Sequence, residues 1–66
     1  METIFDLIYG HYNDEEQQEQ YENIDDLRAD FKHLVENYNY DFVIGRKITI
    51  DNDGLEDIDI IFNYQN

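Results

Sequence analysis

ETIFDLIYGHY, residues 2–12, decides how the chain is read, because two periodicities run through it at once. Ile4, Leu7, Ile8 and Tyr12 recur at helical spacing, with Phe5 and Tyr9 on an adjoining face. Strict alternation fits less well, since Ile4 and Phe5 are adjacent, as are Leu7 and Ile8. The spacing predicts a short helix that stops near Gly10.

Downstream, residues 13–23 read NDEEQQEQYEN, polar throughout except for Tyr21. This segment offers no face to bury, so it is either the solvated first half of the next helix or a mobile acidic loop. The next stretch is clearer. Ile24, Leu27, Phe31, Leu34, Val35 and Tyr38 form one apolar stripe at helical period. Asn23 with Asp26 three residues on resembles a capping box. A start at that cap gives a helix over 24–38, and a start at Asp14 gives one of about 25 residues.

From Asp41 to Ile50 the chain alternates, with Phe42, Ile44, Ile48 and Ile50 on one parity. A two-residue turn at Gly45–Arg46 would scatter those residues over both faces, so one long strand, bent or bulged at Gly45, is expected. Asp51-Asn52-Asp53-Gly54 is a turn signal. Beyond it Ile58, Ile60, Phe62 and Tyr64 share a parity that Ile61 interrupts. The predicted class is α+β: a short N-terminal helix, a main amphipathic helix and a C-terminal antiparallel β-hairpin packed on them, in one small acidic domain over residues 1–66.

Composition narrows the function. Seventeen Asp and Glu face four Lys and Arg, a formal net charge of −13. Nucleic-acid binding replaces counterions with cationic side chains, and anionic membranes attract the same groups; four of them against seventeen acids are too few for either. Apolar residues are nevertheless 41% and aromatics 15% of the chain, too much for a solvated tail, so a folded domain is expected. Its core must be small, since a chain this short buries only about 60% of its unfolded surface. No run approaches the roughly 20 apolar residues of a spanning helix, and the N-terminus does not resemble a signal peptide. Cysteine is absent, which fits a reducing compartment; the cytoplasm, a host's if the gene is a phage's, is the expected location.

Catalytic and metal chemistry find little support. Placing Gly54 at the sixth position of a calcium loop puts Thr49 first and Ile60 last, and neither suits. His11 with Asp14 and Glu15 is a weak metal pattern, and His33 reads as a surface residue. Serine and cysteine nucleophiles are missing, and Gly10, Gly45 and Gly54 are too scattered to cradle phosphate. No catalytic, metal or cofactor site is expected, and no enzyme.

What remains is the acidic array. On a helix running from residue 14, Glu15, Glu19, Glu22, Asp26 and Asp30 would line one flank over about 22 Å, beside the apolar stripe. Like charges at that spacing destabilise a helix, and no lysine relieves them. Asp51, Asp53, Asp57 and Asp59 on the hairpin could form a second row. A charge of −13 exceeds what solubility needs, about 2 to 8 units for a small domain, so recognition of a cationic site is the better reading.

In size, charge and the Glu15–Asp30 stripe, the chain resembles the small acidic proteins of phages and mobile elements that inhibit DNA-handling enzymes by imitating DNA. Anti-CRISPR, anti-restriction and uracil-DNA glycosylase inhibitors belong to this class. Their folds are unrelated, so the resemblance carries no expectation of fold. It implies stoichiometric inhibition of a basic nucleic-acid-binding protein, a Cas effector of the Cas9 type, a restriction enzyme or another nuclease, by a monomer or small homo-oligomer that touches neither nucleic acid nor membrane. The nine acids named above would accept hydrogen bonds from the target's Arg and Lys, and outward Tyr12, Tyr21 or Tyr40 would stack on arginine planes. An immunity protein or antitoxin neutralising a basic toxin is the alternative with the same charge.

Overall fold

The computed structural model describes residues 1–66 and replaces the expected order of elements. Strand β1 (Glu2–Gly10) is followed by β2 (Gln17–Tyr21), helix α1 (Ile24–Asn37), β3 (Phe42–Ile50) and β4 (Glu56–Gln65). The strands form one antiparallel sheet in the order β2-β1-β3-β4. The single helix lies across one face. There is no N-terminal helix, and the β3–β4 hairpin is half of a larger sheet rather than a unit packed on two helices.

The first segment is a strand for a reason visible in its neighbours. β1 pairs on both sides, with β2 and with β3, so it is central. Phe5, Leu7 and Tyr9 point toward the helix and pack in its core. Ile4, Asp6 and Ile8 point the opposite way, onto a face no helix covers. A central strand carrying apolar residues on both faces produces adjacent pairs such as Ile4–Phe5 and Leu7–Ile8, and these imitate helical spacing.

Residues 13–23 are neither a helix nor one continuous loop. Gln17–Tyr21 is a short edge strand paired with Phe5–Tyr9. Its polar composition suits an edge, and the pairing overrides the helical propensity of Gln and Glu. The helix therefore starts after it, at the Asn23 cap. Asn23 accepts from the Asp26 amide at 2.9 Å and donates its side-chain amide to the Asp26 carboxylate at 3.0 Å.

β3 runs unbroken through Gly45, and the irregularity lies opposite it. Gly45 pairs with Phe62 and Arg46 with Ile60, so Ile61 is an extra residue on β4. The bulge divides the apolar set of β4. Ile58 and Ile60 fall on the open face, whereas Ile61, Phe62 and Tyr64 pack toward the helix. Gly45 is needed here: a Cβ on it would stand 2.9 Å from Cδ2 of Phe62, whose ring lies over the glycine and stacks on Phe31 at 5.2 Å. At the β3–β4 turn, Gly54 takes φ +82° and the Asp51 carboxylate accepts from the amides of Asp53 and Leu55.

The core is correspondingly small. Leu7, Leu27 and Val43 are fully buried, with Tyr9 close to it. On the opposite face Asp6 is also fully buried, a carboxylate at the centre of a field of isoleucines. Arg46, directly across on β3, forms a two-pronged pair with it: Nε donates to Oδ1 at 2.8 Å and Nη2 to Oδ2 at 2.6 Å. Gln18 adds a third donor at 2.9 Å. Burial by itself would raise the Asp6 carboxyl, but the hydrogen bonds from Arg46 and Gln18 and the charge of Arg46 outweigh it, so the group lies below its ordinary 3.8.

Removing one partner of such a pair strands the other in an apolar setting. Asp6→Ala is expected to destabilise the domain by about 3 kcal/mol, while the double replacement Asp6→Leu with Arg46→Met costs less than the single one. Urea denaturation of the wild type and the two variants checks both statements. Because the folded carboxyl is depressed, its contribution is complete above pH 3.8 and is lost as the pH falls below that value.

Candidate functional site

The nine acids expected to contact a partner are dispersed by the fold, and a few are regrouped. The continuous Glu15–Asp30 helical row does not exist, since only Asp26 and Asp30 lie on α1. Glu15 is in the β1–β2 loop, Glu19 on β2, and Glu22 in the bend before the helix. Asp26 is engaged in the cap and Asp51 in its turn, with Asp53 exposed beside it. Asp57 and Asp59 are on β4, opposite Thr49 and Lys47. β2 and β4 are the two edges of the sheet, three strand spacings or about 14 Å apart, so the two acidic rows are not side by side.

What the fold does bring together is Glu19 and Asp30. The Tyr21 hydroxyl lies 2.9 Å from Oε2 of Glu19 and 2.7 Å from Oδ2 of Asp30. The Tyr9 hydroxyl reaches the other oxygen of Glu19 at 3.2 Å. Tyr21 has a single proton to donate, so two carboxylates share one donor and keep acceptor capacity to spare. β1 and β2 supply Tyr9, Glu19 and Tyr21 from residues of one parity, pointing to the helix side, and α1 supplies Asp30 from above.

Beside this cluster runs a row of rings. His33 meets Tyr38 at 5.8 Å, Tyr38 meets Tyr40 at 5.6 Å, and Tyr40 meets both Tyr9 at 5.1 Å and His11 at 5.5 Å. The row exists because α1 ends at Asn37, whose side-chain amide donates to the His33 carbonyl at 2.9 Å, and the chain then leaves extended from Tyr38. Two open concavities flank Tyr9 and Tyr40. One contains Glu19, Asp30, His33 and Tyr38; the other contains His11, Asp14, Glu15 and Gln17. Asp41 holds the second in place, accepting from the Tyr12 amide at 3.0 Å and sitting 3.5 Å from Nδ1 of His11.

Carboxylates with spare acceptor capacity next to exposed ring faces suit a guanidinium or an ammonium group, by charge-assisted hydrogen bonding and by cation–π attraction. Of the three tyrosines expected to face outward, only Tyr12 is well exposed, at 61%, and it stacks on Phe42. Tyr21 and Tyr40 are half-buried at the margin of the core. Among the lining residues, the sequence places Tyr9 and Tyr38 on apolar helix faces, His33 at the surface and His11 in a weak metal pattern, so none of the four is expected as a partner contact. A strand reading of β1 would have put Tyr9 on the side of Leu7, pointing to the covered face. Arg28 lies on the flank of α1 away from Asp30, its guanidinium 5.9 Å above the Phe62 ring.

Comparison with protein-family models, with curated sequences and with solved structures gave no match.

Burial and the adjoining Asp30 and Glu19 push the Tyr21 hydroxyl far above its ordinary 10.0, and burial with Glu19 raises Tyr9. In an alkaline titration followed by phenolate absorbance, Tyr9 and Tyr21 are expected to ionise above the ordinary 10.0. Unfolded tyrosine loses its proton near pH 10 while the folded groups keep theirs, so stability is full below that pH and declines above it. The pair Glu19→Gln with Asp30→Asn should lower the Tyr21 midpoint toward the ordinary value.

Proposed function

We propose that this protein is a non-catalytic, stoichiometric inhibitor that occupies the basic nucleic-acid-binding site of a DNA-handling enzyme, a Cas effector or a restriction enzyme, in the cytoplasm. The observation that carries this reading is the state of its acids. Of seventeen carboxylates, only Asp6, Asp25 and Asp41 have a cationic or imidazole nitrogen within 4 Å. The other fourteen meet no cation within the chain. Such an excess creates a strong negative field, which steers association with a basic surface and suppresses other partners.

In this reading Glu19 and Asp30 receive an arginine or lysine of the target, held against Tyr38 and Tyr40. Glu15 and Asp14 extend the contact along the β1–β2 loop. Glu22 and Asp26 flank it at the start of the helix. Asp51, Asp53, Asp57 and Asp59, at the far edge of the sheet, would serve a second basic patch or the general field. No helix is long and apolar enough to cross a membrane.

The test is binding to purified Cas9-type effector loaded with guide, and to a restriction enzyme, with target DNA as competitor. DNA should displace the protein, and affinity should fall steeply as salt rises. Glu19→Gln with Asp30→Asn keeps hydrogen-bonding shape but removes two charges, and should weaken binding at least about 100-fold. Binding indifferent to DNA, or to those two replacements, would overturn the reading. A partner without nucleic-acid function, such as a toxin of another kind, would do the same.

A further inference from the structure

The sheet has one helix and two faces, and the face without a helix is apolar. Ile4 and Ile8 of β1, Ile44 and Ile48 of β3, and Ile58 and Ile60 of β4 all point to it. Ile58 and Ile60 are 50% and 60% exposed. We infer that this isoleucine face is the interface of a homodimer, in which two copies pack sheet against sheet with their helices outward.

Two observations favour a second copy over any other occupant. The first is where the charge lies. At the centre of the face Asp6 and Arg46 neutralise one another. Glu2 and Glu56 pair with Ile50 at one end of the strands, and Glu16 is near enough to act on the Arg46 charge. These acids form a rim around an uncharged centre. A basic partner would be drawn to the helix side, where the unpaired acids are concentrated. A second copy fits the isoleucine face because its own centre is equally neutral. Facing sheets lie about 10 Å apart, and each helix adds a further layer of about 10 Å, so the two acidic helix faces end about 30 Å from one another. That is several times the Debye length of about 8 Å at physiological salt.

The second observation is size. The molecule measures 39 × 25 × 14 Å, so its broad side, the sheet together with its flanking turns, has a footprint on the order of 900 Å². A stable interface needs about 800 Å² from each partner. A small patch on this protein would not reach that figure, but the whole open face does.

The proposal is independent of the acidic face: loss of one contact leaves the other intact, and their salt responses are opposite. Dimerisation should tighten as salt screens the rims, whereas binding of a basic partner should weaken. Sedimentation equilibrium of the full chain should give twice the 8.0 kDa monomer mass, more completely at about 0.5 M than at about 0.05 M sodium chloride. Ile58→Thr with Ile60→Thr keeps β-branched side chains on the strand and should weaken association at least about 100-fold. Asp57→Asn with Asp59→Asn, on the other face of the same strand, should not weaken it. A wild-type chain that stays monomeric at several hundred micromolar in high salt overturns the proposal. So does a folded threonine variant that dimerises like wild type. Should that variant fail to fold, wild-type methyl resonances decide: shifts on dilution at Ile58 and Ile60 support the interface, and shifts confined to Leu27 and Leu34 overturn it.

Discussion

A four-stranded sheet has two faces, and this chain has one helix with which to cover them. That constraint governs the rest of the structure. The helix can bury Phe5, Leu7 and Tyr9 of the central strand only by leaving Ile4 and Ile8, their immediate neighbours, on the other side. The bulge opposite Gly45 responds to the same constraint. It moves Phe62 and Tyr64 to the helix side, where they lie across from the small Gly45 and Val43 of β3, and leaves Ile58 and Ile60 behind. One extra residue thus fills a thin core from a strand whose simple alternation would have sent all four apolar residues one way.

The Asp6–Arg46 pair belongs to the face left open. Two isoleucine-rich strands can slide past one another by two residues and still match apolar to apolar, so isoleucines alone specify register weakly. A fully buried carboxylate with one guanidinium directly across from it removes that freedom, because any slip separates the pair and leaves a charge without a partner. Gln18 extends the same control to β2, since its amide completes the Asp6 shell. Three of the four strands are therefore indexed to a single carboxylate.

Legibility in the sequence followed the range of the interactions. The Asn23 cap and the Asp51–Gly54 turn are made by residues within four of each other, and their signals could be read directly. The continuity of β3 through Gly45 could be read from alternation. The nature of β1 could not, because adjacent apolar residues mean either a helix stripe or a strand covered on two sides, and only knowledge of both neighbours separates them. β2 was less legible still. It is a strand because β1 offers it partners, and nothing in QQEQY says so. The candidate site inherited these errors: five acids placed on one helix belong to a loop, a strand, a bend and a helix, and the pairing of Glu19 with Asp30 arises only after β2 and α1 have folded against β1.

The charge survives folding because few of the acids meet a cation. A small domain ordinarily quiets its carboxylates with lysine and arginine. Here most of the structured ones are satisfied by neutral donors instead: tyrosine hydroxyls at Glu19 and Asp30, an asparagine amide at Asp26, and backbone amides at Asp26, Asp41 and Asp51. A neutral donor fixes the position of a carboxylate without cancelling its charge. The self-repulsion of so many anions costs stability, and it makes addition of salt stabilising for the isolated domain. What the arrangement retains is a set of acids held in place by hydrogen bonds while still lacking a cation. A surface built that way need not reorganise when a guanidinium arrives, so little ordering cost is charged against the contact. The tyrosines and asparagines of this sequence are thus as much a part of its electrostatics as the acids themselves.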